Sequence, residues 1–221
     1  MNPFVIAICG IDGSGKSTQV NLLTEYLREC GFATKKSKVN TIGTKVLMDL
    51  AEKMFGDRYD YYPGIPPEIM HSVRATDFAR HYLEMYKANE GYDFIICDRH
   101  KLCCRANSMS YKADMKWIDE ILSLIPDPDL IIFLNVSIDI AVERMIGRIN
   151  EPMQVDENPE LLAEAIKCYE VLFATEKLSK DVVFIDGNME TAHVHSAIVN
   201  KIVDKVNARI PNKTFKCQIG D

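Results

Sequence analysis

The sequence predicts an α/β protein: a three-layer αβα sandwich around a five-stranded parallel sheet. Short apolar runs alternate with longer helical patterns along the whole chain, and no repeat or linker-like segment interrupts them. The apolar runs are continuous, which is typical of parallel strands covered by helices on both faces. We therefore predict a single domain over residues 1–221, with ligands at the carboxyl ends of the strands.

The elements follow from apolar periodicity and from breaker residues. A buried strand is predicted over Phe4–Cys9, followed by a helix over Lys16–Cys30 that ends at Gly31. The other predicted strands are Phe32–Val39, Phe94–Cys97, Leu130–Leu134 and Val182–Ile185. Two more helices are predicted over Thr44–Phe55 and, after a proline-rich turn, over Glu68–Asn89.

Composition excludes several classes of protein. The chain has 221 residues, 47% of them hydrophobic, which argues against intrinsic disorder. Its 26 Lys and Arg against 32 Asp and Glu give a net charge of −6, so a broad basic surface for nucleic acid is not expected. No apolar run is long enough to span a membrane, and the first residues lack the features of a signal peptide. We expect a cytoplasmic protein whose seven cysteines are free thiols, with no nucleic-acid or membrane partner.

A glycine-rich segment carries the strongest functional signal. Residues 10–17 read Gly-Ile-Asp-Gly-Ser-Gly-Lys-Ser and match the phosphate-binding pattern Gly-x-x-x-x-Gly-Lys-Ser/Thr, between a predicted strand and a predicted helix. Backbone N–H groups of such a loop point at an anion, and the helix adds its positive end. Lys16 is expected to reach the β- and γ-phosphates of a nucleotide, and the Ser17 hydroxyl to bind Mg²⁺. The alternative is a turn that merely packs helix on strand.

Two further motifs bring charged groups to the same edge of the sheet. Asp98-Arg99-His100 follows the third strand, where Asp98 suits Mg²⁺ or its water shell and Arg99 suits a phosphate. Arg144 and Arg148 are four residues apart after the fourth strand, so one helix face could carry both and clamp a phosphoryl group from a lid around residues 144–157. A strand-capping ion pair and a solvated helix face are the alternative interpretations.

These motifs, in this order, resemble the thymidylate kinase family of nucleoside monophosphate kinases, which have the P-loop NTPase fold. The match runs through most of the chain and includes the acidic Asp12 within the glycine loop, the Asp98-Arg99-His100 triplet and the Arg-x-x-x-Arg of the lid entry. A helix over Glu157–Leu172 resembles the helix that follows the family's lid, and Phe184–Gly187 resembles the family's final strand and its nucleotide-base loop.

The resemblance implies Mg-ATP-dependent phosphoryl transfer to a nucleoside monophosphate, with dTMP as the first acceptor to test, and it also implies a homodimer. The cofactors implied are ATP and Mg²⁺. The implied catalytic residues are Lys16, Arg99, Arg144 and Arg148. ATP would be held by Gly10, Asp12, Gly13, Ser14, Gly15, Lys16, Ser17 and Thr18, and Mg²⁺ by Ser17 and Asp98. The acceptor would be held by Asp12, Met70, Arg74, Asp98, Arg99 and Asn107.

The departures from the family pattern all concern the acceptor. Met70 replaces the usual phenylalanine, Asn107-Ser108 stands where a Tyr-Gln pair is common, and Val39–Thr44 only echoes an Arg-Glu-Pro segment. Two alternatives therefore remain open. The acceptor could be another nucleotide, a nucleoside or a small hydroxylated metabolite, or the protein could be a regulator that binds nucleotide and transfers nothing. The polar tail, residues 212–221, is expected to be disordered.

Overall fold

The computed structural model describes residues 2–56, 64–147, 158–175 and 182–207. Its centre is one sheet of five parallel strands in the order β2-β3-β1-β4-β5. The strands are β1 (Phe4–Cys9), β2 (Thr34–Lys38), β3 (Phe94–Asp98), β4 (Leu130–Asn135) and β5 (Val182–Asp186). The predicted five-stranded parallel sheet is confirmed. The segment expected to be disordered, residues 212–221, lies outside the described residues.

Helices cover both faces of this sheet. In chain order they are α1 (Lys16–Glu29), α2 (Ile42–Phe55), α3 (Pro67–Lys87), α4 (Lys101–Ser110), α5 (Met115–Ser123), α6 (Ile138–Ile146), α7 (Pro159–Thr175) and α8 (Thr191–Asn207). None of these helices combines the length and the apolar character needed to cross a membrane. The αβα layering predicted from the continuous apolar strands is therefore the observed one.

β1 is buried along its whole length because successive side chains enter different cores. Val5 and Ala7 pack with residues of α3, α4, α5, α6 and α7 on one side of the sheet. Ile6 and Ile8 pack with residues of α1 and α8 on the other side. The strand that leads into the glycine loop is therefore held from both faces.

Two of the differences from the sequence predictions concern β2 and the helix that carries Arg144. β2 spans only Thr34–Lys38, because Phe32 enters the core before the strand begins and the strand itself, at the edge of the sheet, is mostly lysine. α6 ends at Ile146 with Gly147 at its C-cap, so the helix face expected to carry both Arg144 and Arg148 ends before Arg148. Arg148 and most of the predicted lid, residues 148–157, lie outside the described residues.

The start of α2 is capped by a side chain from α3. The buried carboxylate of Asp77 accepts hydrogen bonds from the backbone N–H groups of Gly43 and Thr44, each at 2.9 Å, and from the Thr44 hydroxyl at 2.9 Å. The first N–H groups of a helix have no partner within it, so this carboxylate satisfies two of them and complements the positive end of the helix. Asp77 thereby fixes α2 against α3.

Replacing Asp77 by alanine is expected to lower the free energy of unfolding by about 1–3 kcal/mol, because buried donors lose their acceptor. Urea unfolding measures the loss. Asp77→Asn keeps one carbonyl oxygen, so its free energy of unfolding should lie between those of wild type and Asp77→Ala. Glu84→Ala, which removes an exposed ion pair with Arg80 on the same helix, is the control and should cost less than about 1 kcal/mol. Equal stability of Asp77→Ala and wild type would contradict the capping role.

Candidate active site

A cleft of about 890 Å³ opens at the carboxyl ends of the strands. Its floor is formed by residues 12–19, from the glycine loop and the first turn of α1. One wall comes from the ends of β2 and β3 and from α3, and the other from α6 and the turn before α8. The sequence predicts ligand binding at this edge of the parallel sheet, and the cleft lies there.

The glycine loop has the backbone of an anion cradle. Gly15, at the N-cap of α1, has a φ of 89°, in the left-handed region that favours glycine. Gly13 also has a positive φ, 78°, and a Cβ there would collide with the backbone of Ala141 in α6. The loop therefore packs directly against α6, and only glycine allows that approach.

The beginning of α1 is available to a ligand within the described structure. No side chain caps it, and its first turn contains no acidic residue. The Ser14 hydroxyl is buried, and no described residue hydrogen-bonds it. A buried polar group without a partner is costly, and a phosphate oxygen would satisfy both this hydroxyl and the free N–H groups. These residues fit a nucleotide phosphate. Thr18 also lines the cleft, whereas Gly10 lies behind the loop beside a smaller cavity.

Lys16 is buried at the base of the cleft. Its ammonium donates a 2.6 Å hydrogen bond to the carbonyl oxygen of Ile11 and lies 3.8 Å from Asp12 Oδ1. Burial, together with the positive charge of Arg99, lowers its pKa from 10.5 to about 8, although Asp12 acts in the opposite direction. An anion bound in the cradle would favour the charged form of this amine.

Ser17 and Asp98 are joined across the floor of the cleft. The Ser17 hydroxyl donates a 2.6 Å hydrogen bond to Asp98 Oδ2, and Lys38 Nζ lies 3.9 Å from the same carboxylate oxygen. A hydroxyl and a carboxylate are oxygen ligands of the kind that Mg²⁺ prefers. The two predicted metal ligands are therefore adjacent, and their chemistry fits the ion.

Arg99 forms an ion pair with Asp12 of the glycine loop. Burial lowers the pKa of this guanidinium, but the Asp12 carboxylate and other nearby groups, Asp98 among them, together outweigh burial and raise the pKa, so the charge is permanent. The backbone of Arg99 is left-handed, with a φ of 75°, which costs a residue with a side chain roughly 1–2 kcal/mol. This unfavourable conformation occurs at the residue whose side chain faces the glycine loop.

Arg144 lies on the opposite wall of the cleft. Its guanidinium donates a 3.2 Å hydrogen bond to the carbonyl oxygen of Met189, in the turn that precedes α8. Gly187 and Thr191 of the same region also line the cleft. Arg144 thus belongs to the side of the site formed by α6 and α8.

The structure brings together only some of the residues that are predicted to bind the phosphoryl acceptor. Arg74 donates a hydrogen bond to the side-chain carbonyl of Asn107. Asn107 lines a small cavity of about 20 Å³ that it shares with Asp12 and Arg99. Met70, in contrast, is fully buried between α2 and α3 against Ala51 and Ile65, and it lines neither cavity. Its contact with an acceptor stays a prediction.

Cys103, for which the sequence predicts only a free thiol, also lines the small cavity. Burial raises the pKa of its thiol, but hydrogen bonds with Cys9 and Tyr169 and the charge of Arg99 outweigh this and lower the pKa to about 6. The Tyr169 hydroxyl also donates a 3.4 Å hydrogen bond to the carbonyl oxygen of Gly10. The six cysteines among the described residues form no disulfide.

Sequence reasoning missed several residues of the cleft. Phe78 is buried and lines it, one turn after Arg74 on the same face of α3, a spacing that could have revealed it. Gln19 donates a 3.0 Å hydrogen bond to the carbonyl oxygen of Thr191, which ties α1 to α8. No motif signals this second contact, because it depends on how the two helices pack.

The sequence of this chain matches one protein family and several of its members. The family model described as thymidylate kinase matches residues 8–198. A probable thymidylate kinase from Methanococcus aeolicus is 30% identical over 211 residues, which cover 93% of this chain and 98% of that protein. Probable thymidylate kinase 1 from Saccharolobus solfataricus is 29% identical, with 91% of this chain and 97% of that protein covered.

A solved structure supports the fold. The thymidylate kinase from Candida albicans superposes with a TM-score of 0.68 over 93% of both chains, at 20% sequence identity. At this identity the likeness bears on the architecture rather than on the substrate. The αβα sandwich of this chain is thus the architecture of that solved structure.

The buried amine of Lys16 gives the unliganded protein a specific pH dependence. Its pKa of about 8 lies below the unfolded value of 10.5, so between these values the folded chain binds fewer protons than the unfolded chain. Raising the pH through this window therefore stabilises wild type relative to Lys16→Met, which has no amine. In urea unfolding without nucleotide, the free energy of unfolding of wild type minus that of Lys16→Met should therefore increase by on the order of 2 kcal/mol between pH 7 and pH 9.5.

Lys36→Met is the control for this comparison. Lys36 is exposed and its amine donates to Asn21 at the surface, so its removal should change stability equally at both pH values. A difference between Lys16→Met and wild type that does not vary with pH would show that the amine is not perturbed by burial.

Proposed function

This chain belongs to the thymidylate kinase family, and from that premise we propose that it transfers the γ-phosphoryl group of ATP to dTMP, giving ADP and dTDP, with Mg²⁺ as cofactor. One observation carries the proposal: Lys16, the Ser17–Asp98 pair and the Arg99–Asp12 pair converge beside the free start of α1. Phosphoryl transfer requires positioned positive charge more than a strong base, and this edge of the sheet supplies it.

The donor side follows from the glycine loop. The free N–H groups at the start of α1 and the Ser14 hydroxyl would bind phosphate oxygens, and Lys16 would exchange its carbonyl partner for the β- and γ-phosphates. Ser17 and Asp98 would hold Mg²⁺. When bound, Mg-ATP supplies the phosphoryl group and a cation that neutralises charge on it. Arg144 faces this end of the cleft from α6.

The acceptor side is built around Arg99. Its guanidinium would lie between the two phosphate ends, and Asp12, its present partner, would face the sugar hydroxyl of the acceptor. Arg74 would bind the acceptor phosphate, with Asn107 as the neighbour that orients it. Arg148, at the predicted lid, remains a prediction, as do the homodimer and the cytoplasmic location.

A second candidate keeps the fold and ATP but changes the acceptor. It is favoured by one observation: Met70, which replaces the aromatic residue usual in the family, is buried against α2 and leaves the cleft without that contact. Phe78, two turns further along the same helix, does line the cleft. Family membership does not favour the regulator that binds nucleotide and transfers nothing, and the retained Lys16, Asp98 and Arg99 argue against it.

The first test measures ADP release with Mg-ATP and a panel of acceptors: dTMP, dUMP, other monophosphates, nucleosides and a blank without acceptor. We expect dTMP to give the highest kcat/KM, and Lys16→Ala, which lacks the phosphate-binding amine, to give no turnover above the blank. Turnover with another acceptor and none with dTMP would establish the second candidate. Release that no acceptor stimulates would contradict both.

Arg74→Ala is expected to raise the KM for the acceptor about tenfold or more, since a hydrogen bond from a charged group is lost, while the KM for ATP changes little. Steady-state kinetics with each substrate varied separates the two effects. Arg80→Ala is the matched control, because Arg80 lies on the same helix and pairs with Glu84 at the surface. An unchanged KM and kcat in Arg74→Ala would remove Arg74 from the site.

A further inference from the structure

The position of Arg99 depends on an unusual backbone conformation. Among the described residues, positive φ angles outside glycine occur at Arg99, 75°, and at Lys112, 56°. A left-handed residue with a long side chain persists only when its surroundings hold it there. The backbone N–H of Arg99 donates a 3.1 Å hydrogen bond to the carbonyl oxygen of Ile8, which fixes one side of the residue.

The other side of Arg99 is held by Tyr82 of α3. The Tyr82 hydroxyl donates a 2.6 Å hydrogen bond to the carbonyl oxygen of Arg99. The Tyr82 side chain has no exposed surface, and its ring centroid lies 4.4 Å from that of His100, the next residue in the motif. Tyr82 therefore contacts the turn after β3 at both Arg99 and His100.

We propose that Tyr82 is a positioning residue for phosphoryl transfer: its hydroxyl holds Arg99 in the left-handed conformation that directs the guanidinium toward Asp12 and the cleft. This inference rests on the proposed function, because it acts through Arg99. Tyr82 lines neither cavity, so it does not act on the phosphates directly.

The protonation state of the Tyr82 hydroxyl suits this role. Burial raises the pKa of Tyr82 well above its usual value, so the hydroxyl keeps its proton and remains a donor. The Arg99 carbonyl therefore meets a permanent donor.

The fold also explains why this tyrosine comes from α3. Arg74, Phe78 and Tyr82 follow one another at intervals of four residues, so they share one face of the helix. Arg74 reaches Asn107, Phe78 lines the cleft and Tyr82 holds Arg99. One helix face thus supplies an acceptor residue, part of the wall and the support of a catalytic arginine.

A double-mutant cycle tests the proposal. Tyr82→Phe keeps the buried ring and removes only the hydroxyl. We expect kcat to fall about tenfold, because a small displacement of a charged group is costly to the reaction, while the KM for ATP changes less than about twofold. In an Arg99→Ala background the same substitution should lower the remaining kcat by less than about twofold, because the group on which Tyr82 acts is gone.

Tyr86→Phe is the matched control. Tyr86 lies one turn further along α3, and its hydroxyl donates to a backbone carbonyl, that of Asp127, at 3.5 Å, away from the cleft. Its loss should leave kcat and KM unchanged. A wild-type kcat in Tyr82→Phe, or an equal fall with and without Arg99, would overturn the proposal.

Hydrogen exchange separates this inference from the proposed function. In the unliganded protein, Tyr82→Phe should accelerate exchange of the peptide containing residues 98–101 several-fold, and Tyr86→Phe should not. Unchanged exchange in Tyr82→Phe would overturn the proposed hold on Arg99 whether or not the enzyme turns over. If no acceptor is phosphorylated but the exchange rate rises, the proposed function fails while the hold on Arg99 stands.

Discussion

The parallel pairing of β1 with β3 is the constraint on which the site depends. In this register Ile8 lies opposite Asp98, so the chain leaves β1 into the glycine loop beside the point where β3 presents its acid and its arginine. Asp98 can then accept from Ser17 at the start of α1, and Arg99 can pair with Asp12. A shift of one residue would turn these side chains to the opposite face of the sheet.

The charges of the cleft are arranged before any phosphate arrives. The ammonium of Lys16 rests on a backbone carbonyl, and the guanidinium of Arg99 rests on Asp12. Both cations are thus held close to where phosphate oxygens would lie, with partners that a phosphate can replace or share. Such preorganisation reduces the rearrangement that phosphoryl transfer requires.

The strands, the glycine loop and the Asp98-Arg99 motif could be predicted from the sequence, because they depend on local patterns of apolar residues and glycine. The cap that Asp77 provides to α2 and the support that Tyr82 gives to Arg99 could not, because each joins residues from separate elements. The role expected for Met70 came from family resemblance, yet its side chain lies in a small apolar core between α2 and α3. Local patterns thus locate the phosphate site better than the acceptor site.

The contact between Gly13 and Ala141 has a consequence for how this protein can vary. α6, the helix that carries Arg144, packs so closely on the glycine loop that no methyl group would fit between Gly13 and Ala141. Any side chain at position 13 would push that helix outward and carry Arg144 with it. The distance between the floor of the cleft and the wall that carries Arg144 therefore depends on the absence of a side chain at position 13, and the loop and α6 can change only together.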